Sequence, residues 1–190
     1  MAEPTTLYLL RHGEIDRPPV AQFYQAVLTV AGRQQIHTLA LRWPHRIPEI
    51  IYCSPLARSV ETASILASVF RRPIRTVDGL QEWAATEADV PQYVYRDLER
   101  RSWADFDFRN DDGESLNHAG DRIEGFLESM ARDHRGRAAM VSGHSILFAL
   151  FVARIRRERA TEAAKNGIGF GHYAIVSFDG HFRLERDFGP

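Results

Sequence analysis

Five short apolar runs, separated by segments with helical spacing, constrain the fold of this chain more than any other feature. The runs are continuously apolar rather than alternating, which is typical of strands covered on both faces, as in a parallel sheet. Helices between such strands indicate βαβ units with right-handed crossovers. The pattern predicts a three-layer α/β/α sandwich with strands at residues 6–10, 50–53, 74–77, 138–142 and 173–178.

A sixth strand is predicted at the C-terminal end of the sheet. Asp179-Gly180 follows the fifth apolar run, and this dipeptide is a strong signal for a two-residue hairpin turn. A strand over about residues 182–185 would then return antiparallel. We therefore expect a mostly parallel central sheet of about six strands with one antiparallel edge strand.

Capping residues mark where the helices should begin. Thr29 and Ser115 each precede an apolar face with helical spacing, and Ser54-Pro55 combines a capping side chain with proline at the first helical position. Another helix is predicted over about residues 145–156. Residues 83–113 are rich in aromatic and charged side chains, and we interpret them as a partly helical excursion over one edge of the sheet.

Length and charge limit the domain organisation and the partners. With 190 residues, one domain over 1–190 is the default. A formal net charge of −1 gives no support for nucleic-acid or membrane-surface binding, and no apolar run is long enough to span a membrane. Cys53 is the single cysteine, which excludes an internal disulfide and a cysteine-based zinc cluster. The N-terminus lacks an apolar secretion signal, so a cytoplasmic location is expected.

Cationic and imidazole side chains follow three of the predicted strands. Arg11 and His12 end the first strand, Arg58 lies just after the second, and His144 follows the fourth. Each alone is most often a structural histidine or a surface arginine. Ligands of open α/β sheets, however, bind where the carboxyl ends of strands meet helix N-termini, whose unpaired N–H groups favour anions. Together these residues indicate a phosphate site.

Several sequence blocks, in the same order along the chain, resemble the histidine phosphatase superfamily, whose members are similar to phosphoglycerate mutases. The resemblance covers residues 6 to about 150, and Gly143-His144-Ser145 is similar to the branch with small phosphohistidine-protein phosphatases. The matching blocks are Leu10-Arg11-His12-Gly13-Glu14, Leu28-Thr29, Ser54-Pro55-Leu56-Ala57-Arg58, Leu80-Gln81-Glu82, Gly113-Glu114-Ser115 and His144.

The resemblance implies a mechanism with a role for each matched residue. His12 would attack phosphorus and form a phosphohistidine, while Glu82 would protonate the leaving oxygen and later activate water. Arg11, Arg58 and His144 would hold the phosphate oxygens, because guanidinium groups match phosphate in charge and geometry. Gly13 and Ser145 are expected to contribute to the same phosphate site. No metal and no cofactor are implied.

Specificity is expected to reside in the excursion at residues 83–113. Arg100 and Arg101 resemble a block that binds the substrate carboxylate in phosphoglycerate mutases. The aromatic side chains here either line an apolar pocket for the leaving group or seal the edge of the core; they are Trp83, Tyr93, Tyr95, Trp103, Phe106 and Phe108.

Three functions stay open on these grounds. A phosphatase acting on a small phosphorylated metabolite is favoured, and a phosphoprotein is a less favoured substrate. A mutase is the first alternative, although the chain lacks the further contacts that return transfer requires. A phosphate- or phosphopeptide-binding module without turnover is the second. A homodimer is the oligomeric state that we consider.

Overall fold

A computed structural model describes residues 3–16 and 25–190 of the chain. The strands are β1 (Thr5–Arg11), β2 (Ile50–Cys53), β3 (Ile74–Thr76), β4 (Ala138–Gly143), β5 (Tyr173–Phe178) and β6 (Phe182–Gly189). The helices are α1 (Val30–Leu41), α2 (Ala57–Phe70), α3 (Gln92–Ala104), α4 (Leu116–Asp133), α5 (Ser145–Arg156) and α6 (Glu162–Gly167).

The strands form one six-stranded sheet in the order β3-β2-β4-β1-β5-β6. Strands β3, β2, β4 and β1 are mutually parallel, and β6 pairs antiparallel with β5 as the hairpin signal predicts. Strand β5 itself pairs antiparallel with β1, so it opposes its neighbours on both sides. The predicted fold class is confirmed. The apolar run of β5 did not reveal its direction, because a strand covered on both faces has the same composition in either direction.

Two apolar cores, one on each face of the sheet, make the molecule three-layered. Side chains alternate across a strand, so Leu7 and Leu9 of β1 face one layer while Tyr8 and Leu10 face the other. Helices α4 and α5 cover the first face, and α1 and α2 cover the second.

Helix boundaries follow the predicted caps with one exception. Thr29 accepts a hydrogen bond from Gly32 N, Ser115 accepts one from His118 N, and α5 spans 145–156 as predicted. The prediction that α2 begins at Ser54-Pro55 was wrong. The helix begins at Ala57, because the Ser54 hydroxyl bonds to the Leu56 amide before the helix and to His144, which follows β4.

The excursion contains α3, in agreement with the partly helical prediction, whereas the short helix α6 was not predicted. Among the described residues, no helix has the length and apolar character needed to cross a membrane. Residues 17–24 lie outside the described part of the chain.

Candidate active site

Three strand ends meet at one edge of the sheet. In the parallel register, Arg11 of β1 lies opposite Gly143 of β4, and Cys53 of β2 lies opposite Ser142. Backbone hydrogen bonds extend both ladders by one residue, from His12 N to Gly143 O and from the residue after Cys53 to Ser142 O. The residues that follow the three strands therefore lie side by side, as expected for the carboxyl ends of parallel strands.

His12 is buried and held in one tautomer. Its Nδ1 lies 2.8 Å from the carbonyl oxygen of Gly13. Because a carbonyl can only accept, Nδ1 carries the proton and Nε2 is left bare in the neutral ring. Burial, with the charges of Arg58 and Arg11, lowers the pKa of His12 to about 3. The ring is therefore neutral at physiological pH and can act as a nucleophile.

Gly13 holds His12 from the adjacent backbone position. A Cβ at Gly13 would lie 2.8 Å from Ile36 Cγ1 and 2.9 Å from Gly32 O, so only glycine permits this close approach to α1. Its amide donates to Thr62 Oγ1 at 3.1 Å. Gly13 therefore helps to position His12, and its expected contact with phosphate stays a prediction.

Arg11 and Arg58 bring two guanidinium groups to the site. Arg58 lies in the first turn of α2 with 1% of its surface exposed. Arg11 donates to the carbonyl of Ile168, and its Cζ lies 4.2 Å from the centroid of the Phe170 ring. The two charges disfavour protonation of the neighbouring histidines and favour an anion beside them.

His144 lies beside His12 and precedes α5 as its N-cap residue. The two ring centroids are 5.3 Å apart. Burial, together with the charge of Arg58, lowers the pKa of His144 well below its usual range. Its Nε2 lies 2.7 Å from Ser54 Oγ. Its Nδ1 is buried and has no hydrogen-bond partner among the described residues.

Glu82 binds the first turn of α5. Its carboxyl oxygens accept from the amides of Ile146 at 3.1 Å, Leu147 at 3.3 Å and Trp83 at 3.0 Å. Burial raises the pKa of Glu82, and these amides with Arg58 offset part of the rise. The expectation that the amides of this helix are open to an anion was therefore wrong for Ile146 and Leu147. A carboxyl group whose pKa is raised can donate a proton.

The segment that carries Glu82 is fastened by Arg122 of α4. The Arg122 guanidinium donates to the carbonyls of Gly79 and Gln81, at 2.8 and 3.0 Å. It also holds both oxygens of Glu114, at 2.9 and 2.6 Å. No sequence pattern singles out Arg122, because one arginine on an amphipathic helix in an arginine-rich chain resembles any surface arginine.

A cavity of about 350 Å³ opens at this edge of the sheet. Four predicted residues line it, namely Arg11, Arg58, Glu82 and Ser145. His12 and His144 are almost fully buried beside it, and the His12 ring lies 5.5 Å from that of Phe170, a lining residue. The lining also includes charged and polar side chains that the sequence analysis did not single out: Glu87, Asp89, Gln92, Arg96, Glu99, Lys165 and Asn166.

Arg100 and Arg101 do not line this cavity, so the structure does not bring them to the predicted site and their role in substrate binding stays a prediction. Helix α3 presents residues 92, 95, 96 and 99 to the cavity, and this spacing covers one helical face. Arg100 pairs with Asp97 in solvent, and Arg101 lies on the far side of the helix, 4.0 Å over the Phe108 ring.

The aromatic side chains of the excursion divide between the two roles considered. Trp83 and Tyr95 line the cavity. Trp103, Phe106 and Phe108 pack against the core, whereas Tyr93 is largely exposed. In residues 3–16 and 25–190, no group of three or more His, Cys, Asp or Glu side chains is arranged to hold a metal ion.

Comparisons with known proteins agree with this geometry. The family model for the histidine phosphatase superfamily, branch 1, matches residues 7–186. Phosphoserine phosphatase 1 of Hydrogenobacter thermophilus is 28% identical over 153 residues, covering 74% of this chain and 71% of that protein.

Solved structures share the fold over nearly the whole chain. A mycobacterial glucosyl-3-phosphoglycerate phosphatase superposes with a TM-score of 0.75 at 21% identity, covering 97% of this chain and 98% of its own. A phosphoserine phosphatase mutant from Entamoeba histolytica, in complex with phosphoserine, superposes with a TM-score of 0.78 at 19% identity, covering 97% of this chain and 96% of its own. The chain is an enzyme of the phosphatase class and belongs to the histidine phosphatase superfamily, branch 1.

Proposed function

We propose that this chain hydrolyses a small phosphomonoester without a metal ion, through a phosphohistidine on His12. The observation that carries the proposal is the buried, neutral His12 ring with its Nδ1 bonded to Gly13 O, beside Arg11 and Arg58. A phosphate-binding module would not need a bare imidazole nitrogen at this place. The arrangement is the one that an attacking nitrogen requires.

The reaction has two balanced steps. The lone pair of His12 Nε2 attacks phosphorus, the bond to the leaving oxygen breaks, and that oxygen takes the proton of the Glu82 carboxyl group. Water then attacks the phosphohistidine, the Glu82 carboxylate takes a proton from the water, and the P–N bond breaks to release phosphate. Arg11 and Arg58 stabilise the charge on the phosphoryl oxygens during both steps.

A small polar metabolite fits the cavity better than a protein surface does. Its volume of about 350 Å³ lies at the lower end of the range for small-molecule sites. Its lining includes Arg96 and an ion pair in which Lys165 Nζ lies 3.0 Å from Glu99 Oε1. Charges of both signs favour a leaving group with its own charged or hydroxyl groups. Phosphoserine and glucosyl-3-phosphoglycerate, named for two relatives, are the first candidates.

Hydrolysis of p-nitrophenyl phosphate in the presence of EDTA tests the proposal. We expect turnover to persist in the chelator, and acid-labile, base-stable phosphate to be trapped on His12 by rapid quenching. Phosphate trapped on another residue would exclude His12 as the nucleophile. Vanadate binding without turnover would instead identify a binding module.

The mutase alternative has less support in this structure, because Arg100 and Arg101 are absent from the cavity wall. Incubation with 3-phosphoglycerate separates the two activities. A phosphatase releases inorganic phosphate, whereas a mutase accumulates 2-phosphoglycerate. The cytoplasmic location and the oligomeric state stay predictions, which fractionation and sedimentation measure directly.

A further inference from the structure

Ser54 has a role that its sequence context does not reveal. As a residue before Pro55 it resembles a helix cap, yet α2 begins at Ala57. Its hydroxyl is fully buried and has two hydrogen-bonding neighbours among the described residues: the Leu56 amide, which donates to Oγ at 3.1 Å, and His144 Nε2 at 2.7 Å. The hydroxyl therefore joins the loop after β2 to the histidine after β4.

The position of the proton in this contact follows from the donors and acceptors. The Leu56 amide already occupies one acceptor site of Ser54 Oγ, so the hydroxyl proton needs an acceptor. The bare Nε2 of a neutral His144 is such an acceptor at 2.7 Å. If Nε2 carried the proton instead, it would donate to Oγ and leave the buried hydroxyl proton without this partner, which is unfavourable.

The remaining proton of the neutral His144 ring must then lie on Nδ1. That atom is buried, and no hydrogen-bond acceptor contacts it among the described residues. Buried donors are nearly always satisfied in native proteins, and an anion held by the two guanidinium groups beside this ring would supply the missing acceptor. The low pKa of His144 agrees with a neutral ring and excludes the doubly protonated form at neutral pH.

We propose that Ser54 is a positioning residue that fixes His144 with its proton on Nδ1, so that this N–H donates to an oxygen of the bound phosphoryl group or of the leaving group. The second half of this inference rests on the proposed phosphatase function, whereas the first half does not.

The backbone of Ser54 is itself held firmly enough for this role. Its amide donates to Ser59 Oγ at 3.2 Å and to Ser142 O at 3.3 Å. Ser59 Oγ in turn donates to Ser142 O at 2.8 Å. These bonds join β2, α2 and β4, so the hydroxyl is presented to His144 from a rigid part of the sheet edge.

Long-range ¹H–¹⁵N correlation of ¹⁵N-histidine-labelled protein tests the tautomer directly. In the wild-type protein we expect a protonated Nδ1 and a bare Nε2 on His144, with the resonances assigned by their loss in His144→Gln. In Ser54→Ala we expect the Nε2–H form to appear, because its competing hydroxyl is gone. A wild-type ring with the proton on Nε2 would overturn the proposal.

Titration with inorganic phosphate tests the donor role. Once calorimetry shows that phosphate binds, the His144 Nδ1–H signal should shift with the same saturation curve. A signal that does not move while phosphate binds would refute the contact, yet would leave the tautomer assignment standing. If the proposed hydrolysis fails but the tautomer is as expected, the failure lies in the function and not in the role of Ser54.

Kinetics provide the final comparison. We expect Ser54→Ala to lower kcat/KM about tenfold, consistent with loss of a well-oriented hydrogen bond to an anion. Ser102→Ala is the matched control, because Ser102 is equally buried and donates only to Leu98 O at 3.1 Å in α3. It should leave both kcat/KM and the His144 tautomer unchanged. An equal kinetic loss in both variants, with melting temperatures lowered alike, would reduce Ser54 to a structural residue.

Discussion

His12 and His144 follow neighbouring parallel strands, are both buried and both have a lowered pKa, but their rings are fixed in opposite ways. His12 meets a carbonyl at Nδ1, which leaves a bare Nε2. His144 meets a hydroxyl at Nε2, and its Nδ1 has no partner among the described residues. The hydrogen-bond partner of one ring nitrogen, more than burial or charge, therefore decides whether the other nitrogen can attack phosphorus or donate a hydrogen bond.

Replacing the two histidines should separate these roles most clearly. His12→Ala removes the nucleophile and should lower kcat by about 10⁴-fold or more. His144→Gln removes one donor and should lower kcat/KM by about 10²-fold, the size of a lost charge-assisted hydrogen bond. Rapid quenching should still trap phosphohistidine in His144→Gln and none in His12→Ala. Equal losses of activity, with no phosphoenzyme in either variant, would contradict the assignment. Circular dichroism of both variants controls for folding.

Glu82 should behave like neither histidine, because it acts on the leaving oxygen. Glu82→Gln cannot donate a proton, so we expect about a 10²-fold loss on an alkyl phosphate such as phosphoserine. The loss on p-nitrophenyl phosphate should be much smaller, since p-nitrophenolate leaves without a proton. The wild-type rate on the alkyl phosphate should also fall with rising pH, at a higher pH than an ordinary glutamate would give. An equal loss on both esters would contradict the acid role.

The strand ends and most of the site were predictable, because both depend on local signals. Continuous apolar runs predicted the strands, and the positions at the ends of these runs singled out Arg11, His12 and His144 as site residues. The hydrogen-bond partners of the two imidazole rings were harder to predict from the sequence. Gly13 is adjacent to His12 in the chain, whereas Ser54 and His144 are 90 positions apart, and no local pattern predicts contact over that separation.

Tertiary contacts also explain the predictions that failed. Ser54 does not cap α2, because its hydroxyl contacts the Leu56 amide and His144, and the helix begins later, at Ala57. The amides of α5 were expected to receive an anion, and a protein carboxylate, that of Glu82, occupies two of them. In both cases the rule was sound, and the partner came from a distant segment.

Arg122 gives a smaller test of how the site is supported. Its guanidinium group donates to the carbonyls of Gly79 and Gln81 and to Glu114, none of which is proposed as a catalytic group. The variant Arg122→Gln should release the segment that carries Glu82 and so displace its carboxyl group. We therefore expect kcat to fall about tenfold on an alkyl phosphate and less on p-nitrophenyl phosphate. A uniform loss on both esters would mean that Arg122 affects folding alone.

The control for this test is Arg154→Gln. Arg154 makes a similar set of bonds, to Asp121 and Glu124 at 2.7 Å and to the Asn117 carbonyl at 3.1 Å. None of these partners belongs to the segment just before Glu82. The variant should therefore lose stability without changing the ratio of the rates on the two esters.

The smallest expected effect is on the pH dependence of stability. The folded-state pKa of His12, about 3, lies below the usual histidine value of 6.5, so the unfolded chain binds more protons between these values. Lowering the pH from 6.5 to 5.5 should therefore cost about 1 kcal/mol of unfolding free energy for each buried neutral histidine, and the loss should continue towards pH 3. Glu82, whose pKa is raised, acts in the opposite direction and loses stabilisation as the pH rises. His12→Asn leaves Glu82 in place, so the difference between its urea-unfolding curves and those of the wild type should isolate the histidine. If the unfolding free energies of the wild type and the variant fell equally with pH across this range, His12 would have to take up its proton in the folded protein. The bare nitrogen on which its contrast with His144 depends would then be absent.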